Sequence, residues 1–183
     1  MVVLKEISLH VLDIVQNSIA AKASEVKILI TENIEENIFK LEIIDDGSGL
    51  KEEEVESVLD PFVTSRETRE VGLGLPFLKK AAEDCNGSFT INSQKGKGTE
   101  IEAIFEYNHI DRAPLGDITS TIISLISLNS EIDFFYEHIC DENKFVFNTR
   151  EIKKEITGLK INHPEIINWI EEYIKENLSE IRQ

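Results

Sequence analysis

The sequence predicts an α+β fold, a two-layer α/β sandwich in which helices cover one face of an antiparallel sheet, with a small α+β extension at the C-terminus. Three observations carry that expectation. Short alternating strands are joined by brief polar turns, and amphipathic helices are interleaved with them. The chain has 183 residues, 41% apolar and 30% charged, which suits one domain or one domain plus a small appendage.

In chain order, Leu4, Ile7, Val11, Ile14, Val15, Ser18 and Ile19 recur at helical spacing and predict an amphipathic helix over 4–22. Val26, Ile28 and Ile30 share one face of a strand, and Phe39, Leu41 and Ile43 alternate in the next. The polar stretch Asn33–Asn37 between them reads as a hairpin turn, and Asp45-Asp46-Gly47-Ser48-Gly49 ends the second strand. A short acidic helix is expected from Lys51 to Leu59, with Val55, Val58 and Leu59 facing inward and Pro61 as its stop. Residues 62–71 have little periodicity and read as a loop. Leu75-Pro76 opens a further helix, with proline where its missing N–H costs nothing, and Asn86-Gly87 ends it. Phe89 and Ile91, then Ile101, Ala103 and Phe105, alternate in the third and fourth strands, which turn through Gln94-Lys95-Gly96-Lys97-Gly98.

The stretch Asn108–Gly116, with Pro114, is the expected boundary between a domain over 1–108 and an α+β extension over 109–183. Beyond it the pattern predicts a helix from Asp117 to Leu128, N-capped by Asp117, then a hairpin of Ile132–Ile139 with Lys144–Asn148. A long final helix starts at Pro164, and its stripe of Ile167, Ile170, Ile174, Leu178 and Ile181 reads either as a homodimer seam or as a face packed back on the hairpin. Two heptads are short for a zipper, which favours the second reading. Asp111 and Arg112 are expected to form an ion pair.

With 19 Lys+Arg against 35 Asp+Glu, the net charge of −16 argues against nucleic acid and anionic membrane as partners. No apolar run approaches the roughly 20 residues that span a bilayer. The N-terminus lacks a signal-peptide layout, and two cysteines make no disulfide framework, so a cytoplasmic protein is expected. An anionic ligand has to be held by local groups against the overall field.

Four short signals occur in one order. Asp13 and Asn17 are four residues apart on the first helix and so share a face. Asp45-x-Gly47-x-Gly49 follows the second strand, Gly72-Leu73-Gly74-Leu75 leads into the third helix, and Gly96-Lys97-Gly98-Thr99 fills the last turn. Glycine pairs singly mark turns; their joint order on these elements carries more.

In this arrangement residues 4–107 resemble the GHKL superfamily, the histidine-kinase-like (Bergerat) ATP-binding fold of gyrase-type topoisomerases, Hsp90 chaperones, histidine kinases and mismatch-repair ATPases. Asp60-Pro61-Phe62-Val63-Thr64-Ser65, followed by the Gly72–Leu75 motif, looks most like the lid of sensor histidine kinases. Gln16-Asn17-Ser18-Ile19-Ala20-Ala21-Lys22-Ala23 is similar to the mismatch-repair branch. The resemblance implies ATP and Mg²⁺ as ligands. It gives Asp45 the adenine amino group as donor, with Thr99 sharing a water on that edge. Gly47 and Gly49 would let the backbone approach the purine. Gly72 and Gly74, with Leu73 and Leu75 completing the motif, would offer N–H groups at a helix N-terminus to phosphate. Asn17 would give Mg²⁺ an amide oxygen. Thr64, Ser65 and Arg66, with Arg69, would meet phosphate oxygens from the lid; Glu67 and Glu70 are alternative partners for the arginines.

Two positions depart from the pattern. Asp13 stands where the hydrolytic branches carry Glu, one methylene longer, so a general base at this point has a shorter reach. Ala20 stands where the kinase branch has a basic residue. His10 reads as a packed helix residue rather than a phosphoacceptor, and His138-x-Cys140 lacks the second pair a zinc site needs. A self-contained histidine autokinase is therefore not expected. The expected function is a Mg·ATP-binding signalling or regulatory module, a kinase or ATPase acting with a separate, unidentified partner protein. The alternatives are a non-catalytic ATP/ADP sensor and a slow ATPase using Asp13.

Overall fold

The structure, a computed structural model, describes residues 5–59 and 74–182. Six strands form one sheet: β1 (Glu25–Asn33), β2 (Ile38–Asp45), β3 (Ser88–Gln94), β4 (Gly98–Glu106), β5 (Asp133–Cys140) and β6 (Asn143–Asn148), in the order β3-β4-β2-β1-β5-β6. The helices are α1 (Ile7–Ala20), α2 (Glu52–Val58), α3 (Gly74–Asp84), α4 (Ile118–Leu128), α5 (Thr149–Glu155) and α6 (Pro164–Ile181). The result is an α+β sandwich, as the alternation predicts.

Strand periodicity decides which face is covered. Val26, Ile28 and Ile30 of β1, Phe39, Leu41 and Ile43 of β2, and Ile101, Ala103 and Phe105 of β4 are all buried, while their neighbours in sequence are partly or fully exposed. Against that buried face lie Ile7, Val11, Ile14 and Val15 of α1, Leu75, Leu78 and Ala82 of α3, and Ile122, Leu125 and Ile126 of α4. Phe39 and Phe105 meet edge to face with ring centroids 5.8 Å apart, locking β2 to β4 near the middle of the sheet.

The structure differs from the sequence reading in four places. The first helix spans Ile7–Ala20 and is closed by Lys22 in the left-handed region at φ +61. β5 pairs parallel with β1, with Val26 opposite Phe134 and Glu32 opposite Cys140. Antiparallel pairing is the expectation for strands joined by short turns, but β5 is reached through α4, and a crossover connection permits parallel alignment. A seven-residue helix, α5, follows β6 without having been anticipated; the Asn148 side chain caps it by accepting from the Arg150 N–H at 2.9 Å. The predicted Asp111–Arg112 pair gives way to stacking. Arg112 lies over Phe39 and Tyr107, 5.2 and 4.7 Å from their centroids, and its Nε donates to the Tyr107 carbonyl.

The segment around Pro114 is tied to the first helix. The Ile7 and Ser8 N–H groups, unpartnered within α1, donate to the carbonyls of Pro114 and Leu115 at 2.9 and 2.8 Å. Asp117 caps α4 as expected, accepting from the Ser120 N–H at 2.9 Å. The α6 stripe of Ile170, Ile174, Leu178 and Ile181 is buried against α4 and the β5–β6 hairpin. Among the described residues no helix is long and apolar enough to cross a membrane.

A polar cluster is buried where β1, β5 and the end of α6 meet. His138, fully buried, donates from Nε2 to Glu32 Oε1 at 2.8 Å, and its Nδ1 meets the Tyr136 hydroxyl at 2.7 Å. Arg182 also reaches Glu32 Oε1 at 2.8 Å, and the Tyr107 hydroxyl donates to Oε2 at 3.2 Å. Both ring nitrogens of His138 are thus engaged within the protein, one by a carboxylate and one by a phenol. Burial alone would raise the Glu32 pKa, but the hydrogen bonds from His138 and Arg182, and the charge of Arg182, hold it at about 2. The folded state therefore ionises Glu32 more readily than the unfolded chain does. The stability it contributes is present above about 4.5 and is lost as the pH falls towards about 2. Thermal midpoints measured across that range should fall more steeply for the wild type than for Glu32→Gln; parallel slopes would contradict the assignment.

Candidate functional site

The alternation that buries one face of β2 ends in a charge. Asp45 follows Phe39, Leu41 and Ile43 on the inward side and is only 7% exposed. A buried carboxylate needs donors, and two are supplied locally. The Ser18 hydroxyl, from the buried face of α1, donates to Oδ2 at 2.7 Å, and the Gly47 N–H donates to Oδ1 at 2.8 Å. Both fix the carboxylate's orientation and leave its remaining lone pairs free to accept from a ligand.

The sheet register sets the second group. In the antiparallel β2–β4 ladder Asp45 lies directly opposite Thr99. That closeness depends on Gly98, whose φ is +98 and where a Cβ would sit 1.9 Å from the Asp45 carbonyl oxygen. Ser93 stands beside Thr99 across the β3–β4 turn, its Oγ 2.8 Å from the Thr99 hydroxyl. The loops around these groups are stitched by backbone bonds: Ser48 N–H to the Ala21 carbonyl at 2.8 Å, and Gly96 N–H to the Ser48 carbonyl at 2.7 Å. Asp46 completes the anchoring by accepting from the Ser24 hydroxyl and from the N–H groups of Ser24 and Glu25 at 2.7 and 2.9 Å.

These groups open on a cavity of about 270 Å³ between α1, α3 and the sheet. Asn17, Ser18, Asp45, Gly49 and Thr99 supply its polar wall; Ile14, Leu50, Leu75, Ile91 and Ile101 are among its apolar lining. A mostly apolar cleft with a few convergent polar groups is the usual form of a small-molecule site. The arrangement suits a flat, partly apolar ring with a hydrogen-bonding edge.

Asn17 borders the cavity with Nδ2 buried and without a partner. One turn earlier, Asp13 lies against the start of α3: a Cβ on Gly74 would come within 1.7 Å of Asp13 Oδ2, and the Gly74 N–H bonds to the carboxylate. Burial pushes the Asp13 pKa up, and that N–H bond partly opposes it. Among the described residues no group of three His, Cys, Asp or Glu could hold a metal by itself.

Of the residues singled out from sequence, Asn17, Asp45, Gly49, Leu75 and Thr99 line one cavity, with Gly47 bonded behind Asp45 and Asp13 and Gly74 paired at its α1–α3 side. Thr64, Ser65, Arg66, Arg69, Gly72 and Leu73 lie outside the described residues. His10 is buried on α1, is absent from the cavity wall, and burial lowers its pKa to about 4, which keeps it neutral near pH 7. Sequence reasoning counted Ser18 as part of an apolar stripe and passed over Ser93. The available signal was a hydroxyl on a helix face otherwise made of Ile and Val.

A family model described as histidine kinase-, DNA gyrase B- and HSP90-like ATPase matches residues 3–109. The chain is 29% identical over 91 residues to sporulation kinase D of Bacillus subtilis, covering 50% of this chain and 18% of that protein. It is 28% identical over 116 residues to the cell-division control histidine kinase PdhS of Brucella ovis, covering 56% of this chain and 11% of that one. It thus spans less than a fifth of either relative's length. The crystal structure of the N-terminal domain of a DNA repair protein shares the fold, with a TM-score of 0.59 at 16% identity over 79% of this chain and 52% of that one.

The geometry at Gly98 can be tested without any ligand. Gly96 and Gly98 both have positive φ, but a Cβ at Gly96 meets nothing within 4 Å. Gly96→Ala should cost about 1 kcal/mol from backbone strain alone. Gly98→Ala should cost at least about 2 kcal/mol more, because β4 must move away from Asp45. Urea denaturation gives both values, and equal losses would refute the close approach.

Proposed function

We propose, from the premise that this chain belongs to the histidine kinase-, DNA gyrase B- and HSP90-like ATPase family, that it is a Mg·ATP-binding signalling or regulatory module that acts with a separate partner protein. The observation that carries this reading is Asp45, buried at the end of β2, fixed by Ser18 and Gly47 and facing a ring-sized cavity opposite Thr99. An adenine entering that cavity would donate from its amino group to the Asp45 carboxylate, a charge-assisted bond that distinguishes bases well. The apolar walls at Ile14, Leu75, Ile91 and Ile101 would stack on the ring faces.

The residues near Asn17 fit Mg²⁺ as a shared ion. Mg²⁺ takes one or two protein oxygens and fills the rest of its shell with water and phosphate oxygens, so a three-carboxylate cluster is unnecessary. Asn17 would hold it by the amide oxygen, and bound Mg²⁺ would neutralise phosphate charge. With a net charge of −16, phosphate has to be held by such local groups, the lid residues Thr64, Ser65 and Arg66, the N–H group of Gly72, and that of Gly74 once it leaves the Asp13 carboxylate. Phosphoryl transfer rests mainly on positioning and electrostatics, so a kinase needs few catalytic side chains of its own, and its acceptor would come from the partner. The family's histidine kinases make signalling the natural setting.

Asp13 favours a second reading, slow hydrolysis, because its raised pKa suits a general base. Under that reading ADP release by the isolated protein should stop in Asp13→Asn. Calorimetric titration tests the main reading. Wild type should bind ATP more tightly with Mg²⁺ than without it, and Asp45→Asn should weaken binding roughly tenfold to a hundredfold. Equal binding by the two proteins, or binding by neither, would overturn the assignment.

A further inference from the structure

Behind the cavity wall, Ser93 makes more polar contacts than a turn requires. Its Oγ accepts the Leu50 N–H at 2.8 Å, lies 3.0 Å from the Gly98 carbonyl oxygen, and lies 2.8 Å from the Thr99 hydroxyl oxygen. A serine hydroxyl has one hydrogen and two lone pairs. The Gly98 carbonyl can only accept, so the Ser93 hydrogen belongs there. One lone pair is taken by Leu50. The contact with Thr99 is then completed only if Thr99 is the donor. Every donor and acceptor of Ser93 is used in this arrangement, with no hydrogen shared between two acceptors.

The consequence falls on the cavity. With its hydrogen committed to Ser93, Thr99 turns only lone pairs towards the ligand. Asp45, directly opposite, has Oδ1 and Oδ2 bonded by Gly47 and Ser18 and likewise presents lone pairs. We propose that Ser93 is a positioning residue that sets base specificity: it orients the Thr99 hydroxyl so that the Asp45–Thr99 edge is acceptor-only and selects a 6-aminopurine over a 6-oxopurine. This deepens the ATP reading above and rests on it. A water between Thr99 and the base can donate to both Thr99 and the purine N1, while the amino group donates to Asp45. In a 6-oxopurine the carbonyl sets lone pairs against lone pairs at that edge. Its N1–H can still donate to the water, so the penalty comes from the 6-position. A Thr99 hydroxyl free to rotate would relieve that penalty by donating.

The test compares ATP with inosine triphosphate by calorimetric titration of the full chain with Mg²⁺. Wild type should prefer ATP. Ser93→Ala should reduce the ratio of the two affinities roughly tenfold, mainly by improving inosine triphosphate binding, and Ser93→Thr should restore it. Loss of affinity for both nucleotides in equal proportion would mean a structural role only and would overturn the proposal. Because Ser93→Ala also strands the Leu50 N–H, Thr99→Val provides a second route that leaves Ser93 bonded to Leu50 and Gly98. An accepting Thr99 predicts that Val weakens ATP more than inosine triphosphate, whereas the opposite order overturns the proposal. Equal binding of both nucleotides by the wild type would defeat this inference and leave the ATP reading standing; wild type binding neither would defeat both.

Discussion

The antiparallel register of β2 against β4 is the constraint on which the cavity depends. It places Asp45 opposite Thr99, and the strands can keep that pairing to their ends because Gly98 carries no side chain where the two backbones converge. A one-residue slip would turn Asp45 to the open face of the sheet and Phe39, Leu41 and Ile43 with it. The apolar core therefore enforces the position of the polar group. The hydroxyl of Ser18 and the N–H of Gly47 then offset the cost of burying its charge.

The part of the chain after residue 109 is continuous with this arrangement. β5 lies beside β1 in the same sheet, the Pro114–Leu115 carbonyls receive the first N–H groups of α1, and α4 packs on α1. Since α1 carries Asp13, Asn17 and Ser18, those contacts hold the helix that lines the cavity. The Glu32 cluster ties β1 to β5 and to the last turn of α6 through Arg182. Such a cluster, fully bonded, adds less to stability than its count of bonds suggests, yet removing one member leaves a buried charge unpaired.

The sequence made the architecture legible wherever burial is one-sided. Alternation in β1, β2 and β4 and the helical spacing in α1 and α4 encode which face is covered, and those elements stand where the periodicity puts them. The parallel β1–β5 pairing was not legible, because alternation says nothing about which strand is a neighbour. Nor was α5, too short to show a period. At the site, Asp45 and Thr99 could be chosen because glycine spacing marks the turns beside them, and Asn17 because it shares a helix face with Asp13 four residues earlier. Ser18 shows in the sequence only as a hydroxyl on an apolar helix face, and Ser93 not at all, since their importance comes from partners 27 and 6 residues away that only the folded sheet brings near. The Glu32–His138 bond, across 106 residues, was hidden for the same reason.

The central claim is that the cavity between α1, α3 and the sheet receives a purine nucleotide at Asp45. Backbone amide NMR during addition of Mg·ATP tests it most directly. The account predicts that the resonances of Asn17, Ser18, Gly47, Gly49 and Thr99 shift together and saturate, while those of Leu29, Glu137 and Val146 on β1, β5 and β6 stay in place. Shifts centred on those distant strands, or none at saturating nucleotide, would contradict it.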